Sequence, residues 1–499
     1  MIRKIITLAL AALMLAGMAG AHAEEGLHAP DFLMEGYDEA SHDWETNRFF
    51  QRMQERTGIV LELRQHTDLE AWTERKKAIA AGEDLPDALF KAQLTPAETM
   101  DMAESGILID LKPYLAEYAP DLWRLLEANP DYLAAVTLPD GTIPALPAIN
   151  ELAPNDLMWI NTSWLQTLKL ELPATAEELT EVLRAFKTGD PNRNGRADEI
   201  PLTFIGMWEL RFLGHAFGLV DNDYYLHVKD GTVASGLTTE ENRAFLTWLH
   251  QLWEENLLDH TGFVTMDSLR QITDSKAAIP YGLILSNTPL SVVPATALEQ
   301  YAALMPLTWN GQQTYRELVG PLTRGTFALT RACVSPEKLV AWVNTLYTRE
   351  GSLLLQVGQE GEEYFWNEDG TWDWMADLET VANDVLPNST LSDGGVAPGL
   401  VERDFQSKYT DSATHRIVED MSAVAEKSEL PFPQVFLSAE HRERVAALQA
   451  QIAPFAEGQM AAFVTGDTAL TDESWNAFIQ GLTDRGLPEM MAIWQEYVH

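Results

Sequence analysis

The chain has one cysteine in 499 residues, Cys333. That excludes an internal disulfide and leaves no cysteine near the N-terminus to carry a lipid anchor. Cys333 itself sits in a strand-like run, Phe327 to Val334, where a thiol behaves as a small buried hydrophobe. Cations are also scarce: 34 Lys and Arg stand against 75 Asp and Glu, a net charge of -41 spread along the whole chain. Nucleic acid and anionic membranes are therefore poor partners. A polyanionic substrate is disfavoured at long range, although screening over ~10 Å lets a local basic pocket overrule the global sign. No G-x-S-x-G, H-E-x-x-H, Walker or dinucleotide fingerprint is present. Internal repeats, low-complexity blocks and, beyond the N-terminus, apolar runs long enough to cross a bilayer are lacking too.

Arg3 and Lys4 precede an apolar run from Ile5, and Ala21-His22-Ala23 fits the small-x-small rule for signal peptidase. Residues 1–23 are expected to be a signal peptide, cleaved before Glu24. The protein is expected to be exported, to a periplasmic or a cell-surface and extracellular location without a lipoprotein cysteine. An uncleaved anchor is the rival reading.

The most informative stretch is Asp190-Pro191-Asn192-Arg193-Asn194-Gly195-Arg196-Ala197-Asp198-Glu199. Oxygen donors recur at every second position around one glycine turn, which is the donor pattern of a calcium loop. Asp190, Asn192, Asn194 and Asp198 supply side-chain oxygens and Arg196 its carbonyl. The loop is not an EF-hand, because the twelfth position from Asp190 is Pro201 and the nearest Glu is Glu199. A structural Ca²⁺ is expected, and the competing reading is a metal-free Asn/Asp turn. Thr175 and Glu178 have capping-box spacing and start a helix that runs into the loop.

Along the chain, strands at 31–37, 58–63 and 84–90 alternate with helices at 43–56, 68–81 and 95–107, and that alternation predicts a parallel, doubly wound sheet. Ligands of such sheets bind beyond the carboxyl ends of the strands. The turn-rich segment 138–147, around Asp140-Gly141, reads as a first crossing to a second lobe, and 310–320 as the return. Helices are expected at 239–255 and 266–274. The expected division is lobe 1 at 24–145 and 318–355, and lobe 2 at 146–317 and 356–499, the latter carrying the 190–199 loop. The fold class is α/β: two hinged lobes, each a doubly wound sheet with flanking helices.

Fifteen Trp and thirteen Tyr suit a protein that stacks rings on the flat faces of sugars. Trp123 and Trp248 fall on apolar helix faces and read as core. Tyr37, at the end of the first strand, and Trp208, Tyr281, Trp309, Trp366 and Trp372, in loops or at strand ends, are the candidate ligand-binding residues. Tyr364, Trp366, Trp372 and Trp374 share one parity in a hairpin around Asp369-Gly370, so a buried structural face competes there with a sugar platform.

Several segments in order, Ala80 to Asp87, Asp140 to Ile143, Asp190 to Leu202, Pro336-Glu337, Gly358 to Tyr364 and Thr465-Gly466, resemble the extracellular solute-binding proteins of ABC transporters, family 1. The likeness is to its carbohydrate-binding group, and most to the alginate-binding branch. It implies a periplasmic-binding-protein-like fold of type II, a monomer without catalysis that holds an oligosaccharide in the interlobe cleft and passes it to the transmembrane subunits of an ABC permease. It also implies the calcium ligands Asp190, Asn192, Asn194, Arg196 (carbonyl), Asp198 and Glu199. The family usually has a Tyr where this chain has Pro144. A secreted glycoside hydrolase, with two carboxylates flanking a scissile bond, and a binding protein for a non-sugar solute are the alternatives.

Overall fold

Two sheets, each with its own hydrophobic core, organise the chain in the computed structural model. It describes residues 30–152, 155–263, 279–317, 320–392, 395–406 and 412–498. The expected leader and the helix expected at 266–274 lie outside the described residues.

The first sheet has six strands, in spatial order Gly399–Val401, Ala145–Asn150, Leu322–Leu329, Ala88–Phe90, Phe32–Tyr37 and Leu61–His66. The three N-terminal strands are mutually parallel, with Phe32 opposite Leu61, Tyr37 opposite His66 and Met34 opposite Ala88. The long returning strand Leu322–Leu329 is antiparallel to both of its neighbours. Its register shifts between Thr323 and Phe327. Gly325, at φ +69°, lets the backbones touch there: a Cβ would lie 2.2 Å from the Leu94 carbonyl oxygen, while Leu94 N–H donates to Gly325 O.

The second sheet runs Tyr301–Ala303, Leu157–Asn161, Tyr281–Ser286, Ile200–Thr203. Its core includes Trp159, Phe186, Trp248 and Leu283, together with the C-terminal helices Ala439–Thr465, Asp472–Asp484 and Leu487–Gln495. Trp248 is buried and its indole N–H donates to Thr180 Oγ1, so it is core as expected. Cys333 is buried as well, and burial pushes its thiol up to about 11.

Several boundaries differ from the expectation, most of them because a distant partner decides the element. The first helix begins after Asn47 rather than at Asp43: Asn47 accepts from Phe49 N–H, and its amide is held by the carbonyls of Pro387 and Thr390. Gly58 closes that helix in the left-handed region, so the next strand starts at Leu61. Ala145–Asn150 is a strand of the first sheet, which moves the first crossing beyond Asn150. Residues 356–392 and 395–401, expected with the second lobe, lie with the first, since Leu400 pairs with Ile149 and Leu391 enters the first core. Arg52 also donates to Glu362 and Glu363. Among the described residues the chain therefore passes between the sheets three times, the third after Val401.

Candidate functional site

The strand ends sort the expected aromatic residues. Tyr37 closes Phe32–Tyr37 at its carboxyl end and is half-buried. Next to it the structure is sealed by charge: Asp38, fully buried, accepts from His42 Nδ1 (3.0 Å) and Trp44 Nε1 (2.9 Å) and pairs with Lys91 Nζ (2.7 Å). Lys91 lies just past the carboxyl end of Ala88–Phe90 at φ +49°. Trp208 follows the carboxyl end of Ile200–Thr203 in the short helix Gly206–Leu210 and is 42% exposed. Tyr281 sits at the other end of the second sheet. It opens Tyr281–Ser286 opposite Ile200, beside the 190–199 loop, and its carbonyl accepts from Tyr301 Oη. A parallel pair has one carboxyl end, so Tyr281 is placed away from the side on which Trp208 lies.

Trp309 lines a pocket of about 710 Å³ in the second lobe. Three stretches far apart in sequence wall it, 215–241, 309–314 and 429–431. The third adjoins the strand pair Tyr315–Arg316 and Ser428–Glu429, where the chain is about to cross back to the first lobe. The indole packs against Phe217 (centroids 5.7 Å apart) and lies on the backbone of Gly218. Gly218 has φ +78°, and a Cβ there would come within 2.8 Å of Trp309 Cδ1 and Nε1. Asn310 and Gly311, both in the left-handed region, turn the loop so that Trp309 and Gln312 exchange backbone hydrogen bonds.

Two histidines border this pocket, and nothing in their local sequence marked them. Burial pulls the His215 imidazole down to about 4, so the ring is neutral. Its Nε2 accepts from Leu307 N–H (2.9 Å), and Nδ1 therefore donates to the Phe212 carbonyl. His215 thereby fixes the chain two residues before Trp309. His227 is tied through Nδ1 to Asp221 Oδ1 (2.6 Å), whose other oxygen accepts from Gly236 N–H.

In the hairpin Tyr364–Trp366 and Trp372–Trp374, the buried-face reading fits the packing. Trp372 is 4% exposed, stacks on Phe405 (4.8 Å between centroids, planes within 9°), and its indole N–H donates to the Phe405 carbonyl. Phe405 thus covers the face on which a sugar was expected to stack. Trp366 is half-buried, edge-on to Phe405, with the Arg349 guanidinium 5.5 Å above its ring.

The loop 190–199 is already folded around its own oxygens. Asp190, at φ +44°, accepts from the N–H groups of Asn194 and Gly195; Asn192 Oδ1 accepts from Asn194 N–H and Asn194 Oδ1 from Arg196 N–H. The Asn194 amide N–H donates to Asp198. Both carboxylate oxygens of Glu199 are buried without a partner. Burial raises that carboxyl above its usual range, and the nearby Asp198 and Asp190 charges add to the effect. Among the described residues no three His, Cys, Asp or Glu side chains gather into a metal cluster. Amide and carbonyl oxygens complete this donor set, and an all-oxygen set with an orphaned carboxylate fits a hard divalent cation.

No protein-family model matches the sequence. The chain is 26% identical, over 97% of its length and 95% of the other's, to the fructooligosaccharide ABC transporter substrate-binding protein FusA of Streptococcus pneumoniae serotype 4. A structure of FusA as an EF-hand mutant in complex with fructo-nystose superposes with a TM-score of 0.71 at 24% identity, covering 94% of this chain and 98% of that one. An HMO-binding solute-binding protein from Bifidobacterium longum infantis gives 0.77 at 21%, covering 94% and 99%. The alginate-binding protein AlgQ2 without calcium ion gives 0.63 at 19%, covering 93% and 97%. The chain is a homologue, over nearly its whole length, of the carbohydrate substrate-binding proteins of ABC transporters, and it has their two-lobed α/β fold.

Proposed function

We propose that this protein captures an oligosaccharide between its two lobes, without turnover, and delivers it to the transmembrane subunits of an ABC importer. The observation that carries the reading is the end-to-end homology to a fructooligosaccharide-binding protein, in a chain whose second lobe holds an aromatic-walled pocket beside a crossing. Sugar sites need a flat apolar wall and a few fixed polar groups at its edge. Trp309 supplies the wall, with Asn310, Gln312 and Thr314 at its rim. Trp208, exposed past a strand's carboxyl end, and Tyr37, at the carboxyl end of its strand in the first sheet, are proposed as further contacts for a longer ligand. Three single-chain crossings leave the lobes free to close on it.

The loop is proposed to hold a structural Ca²⁺ through Asp190, Asn192, Asn194, the Arg196 carbonyl, Asp198 and Glu199. The cation would neutralise the carboxylates and supply the buried partner that Glu199 lacks. Export through a leader at 1–23 and a monomeric state complete the proposal.

Incubation of the purified chain with a panel of labelled oligosaccharides, followed by calorimetry and product analysis, tests it. Saturable binding with the sugar recovered intact is the expected result. Cleavage of the sugar contradicts the reading in favour of a hydrolase, and binding of non-sugar solutes alone contradicts it too.

A further inference from the structure

The charges that line the Trp309 pocket do not match those of an acidic sugar. Three carboxylates border it, Asp230, Glu241 and Glu429, against one ammonium, Lys229. His215 is neutral, with both ring nitrogens committed to backbone groups. His227 shares its Nδ1 with Asp221, so that ring brings its own counter-charge with it. Among the described residues no guanidinium lines the pocket, and Arg316, which lies in the same lobe, is buried and directed to Asp223.

Physiological salt screens over ~10 Å, farther than the separation between a side chain that lines the pocket and a ligand in contact with it. These charges therefore act on whatever enters, and the chain's net charge of -41 adds to the same sign. A uronate oligomer carries one carboxylate per ring, and each would need a cation that the pocket does not offer. The rest of the wall suits an uncharged ring. Trp309 is pinned from behind by Phe217 and Gly218, Leu219 and Pro431 extend the apolar surface, and the amide side chains of Asn310 and Gln312 offer both donors and acceptors to hydroxyls.

From this arrangement we infer that the Trp309 pocket selects an uncharged oligosaccharide, docked on the Trp309 indole, and excludes uronate oligomers of the alginate or galacturonan kind by its excess of carboxylates. The inference rests on the proposed sugar-binding function and deepens it.

The test is calorimetric titration of the full chain with kestose, nystose, mannotriose and lacto-N-tetraose as uncharged probes, and with alginate and galacturonate trimers as anionic ones. At least one uncharged probe is expected to bind saturably, and neither uronate. Trp309→Ala should weaken the uncharged probe by about tenfold or more, the equivalent of losing one large apolar contact. Trp309→Phe, which keeps the packing on Phe217, should weaken it less and guards against a folding defect. The combined variant Asp230→Asn, Glu241→Gln, Glu429→Gln should gain measurable uronate binding. A uronate that binds the unaltered chain as tightly as any uncharged probe overturns the inference, as does uncharged binding that neither Trp309 variant weakens; both outcomes leave sugar binding intact. If no probe of either charge class binds, the sugar-binding function falls, and this inference with it.

Discussion

The hairpin 364–374 and the loop 309–314 both offer tryptophans on tight turns, yet their rings have opposite surroundings. Trp372 is stacked under Phe405 and nearly closed to solvent, whereas Trp309 is pinned on one side and lines a pocket on the other. The hairpin carries five aromatic rings in eleven residues, and four of them, Tyr364, Trp366, Trp372 and Trp374, pack into one cluster with Phe405. The other turn carries one ring, and a glycine, Gly218, shapes its bed. Aromatic density in sequence is thus a sign of a self-covering cluster. An isolated ring beside polar turn residues is a better sign of a platform, because it has no neighbours of its own kind to bury it.

The largest effect that would break the comparison is on stability. Trp372→Ala should destabilise the protein by roughly 3–5 kcal/mol, the range for emptying a buried aromatic site, with oligosaccharide affinity unchanged once folded. Denaturant unfolding beside a binding titration checks it. An unchanged midpoint would place Trp372 with the ligand after all.

Next comes His215, which anchors the backbone leading to Trp309. Its ionisation constant is near 4 in the folded chain and ordinary when unfolded. The unfolded state therefore takes up the proton first, and the stability conferred by the neutral ring is complete above about pH 6.5 and lost as pH falls toward 4, by roughly 3 kcal/mol over that window. The melting temperature should fall through this range in the native chain with a steeper slope than in His215→Gln.

The 190–199 loop, proposed to hold Ca²⁺, contributes no residue to the Trp309 pocket and should alter stability without altering the pocket. A ligand at a hundredfold excess over its Kd adds ~2.7 kcal/mol, so chelation should lower the melting temperature, and Asp190→Ala should erase the difference between chelated and calcium-loaded samples. Sugar affinity should be the same in both samples, provided they are compared while folded. The smallest effect is one of shape: saturation with ligand should reduce the radius of gyration in small-angle scattering as the lobes close, and an unchanged radius would indicate a rigid cleft.

What the sequence disclosed follows the range of the forces involved. The caps at Thr95 and Thr175 are local and stand where expected. Thr95 forms its full box with Glu98, while the Glu178 carboxylate accepts from Ala174 N–H instead. The 190–199 turn is equally local, since its donors lie within ten residues. Where strand partners or ring partners are distant, the reading failed. The first crossing was placed too early because Ala145–Asn150 is defined by pairing with Leu322–Leu329 and Gly399–Val401. The partner that buries Trp372, Phe405, lies 33 residues away, beyond the reach of local pattern. The Trp309 pocket needs three separate stretches of chain. Only the ring was visible in sequence, and the histidines and carboxylates around it were not.

The most direct test of the account is a single set of titrations with an uncharged oligosaccharide that binds the native chain, repeated on folded Trp309→Ala and Trp372→Ala. The account predicts affinity weakened about tenfold or more in the first and unchanged in the second. The reverse pattern, with Trp309→Ala binding normally and Trp372→Ala losing affinity, would contradict it.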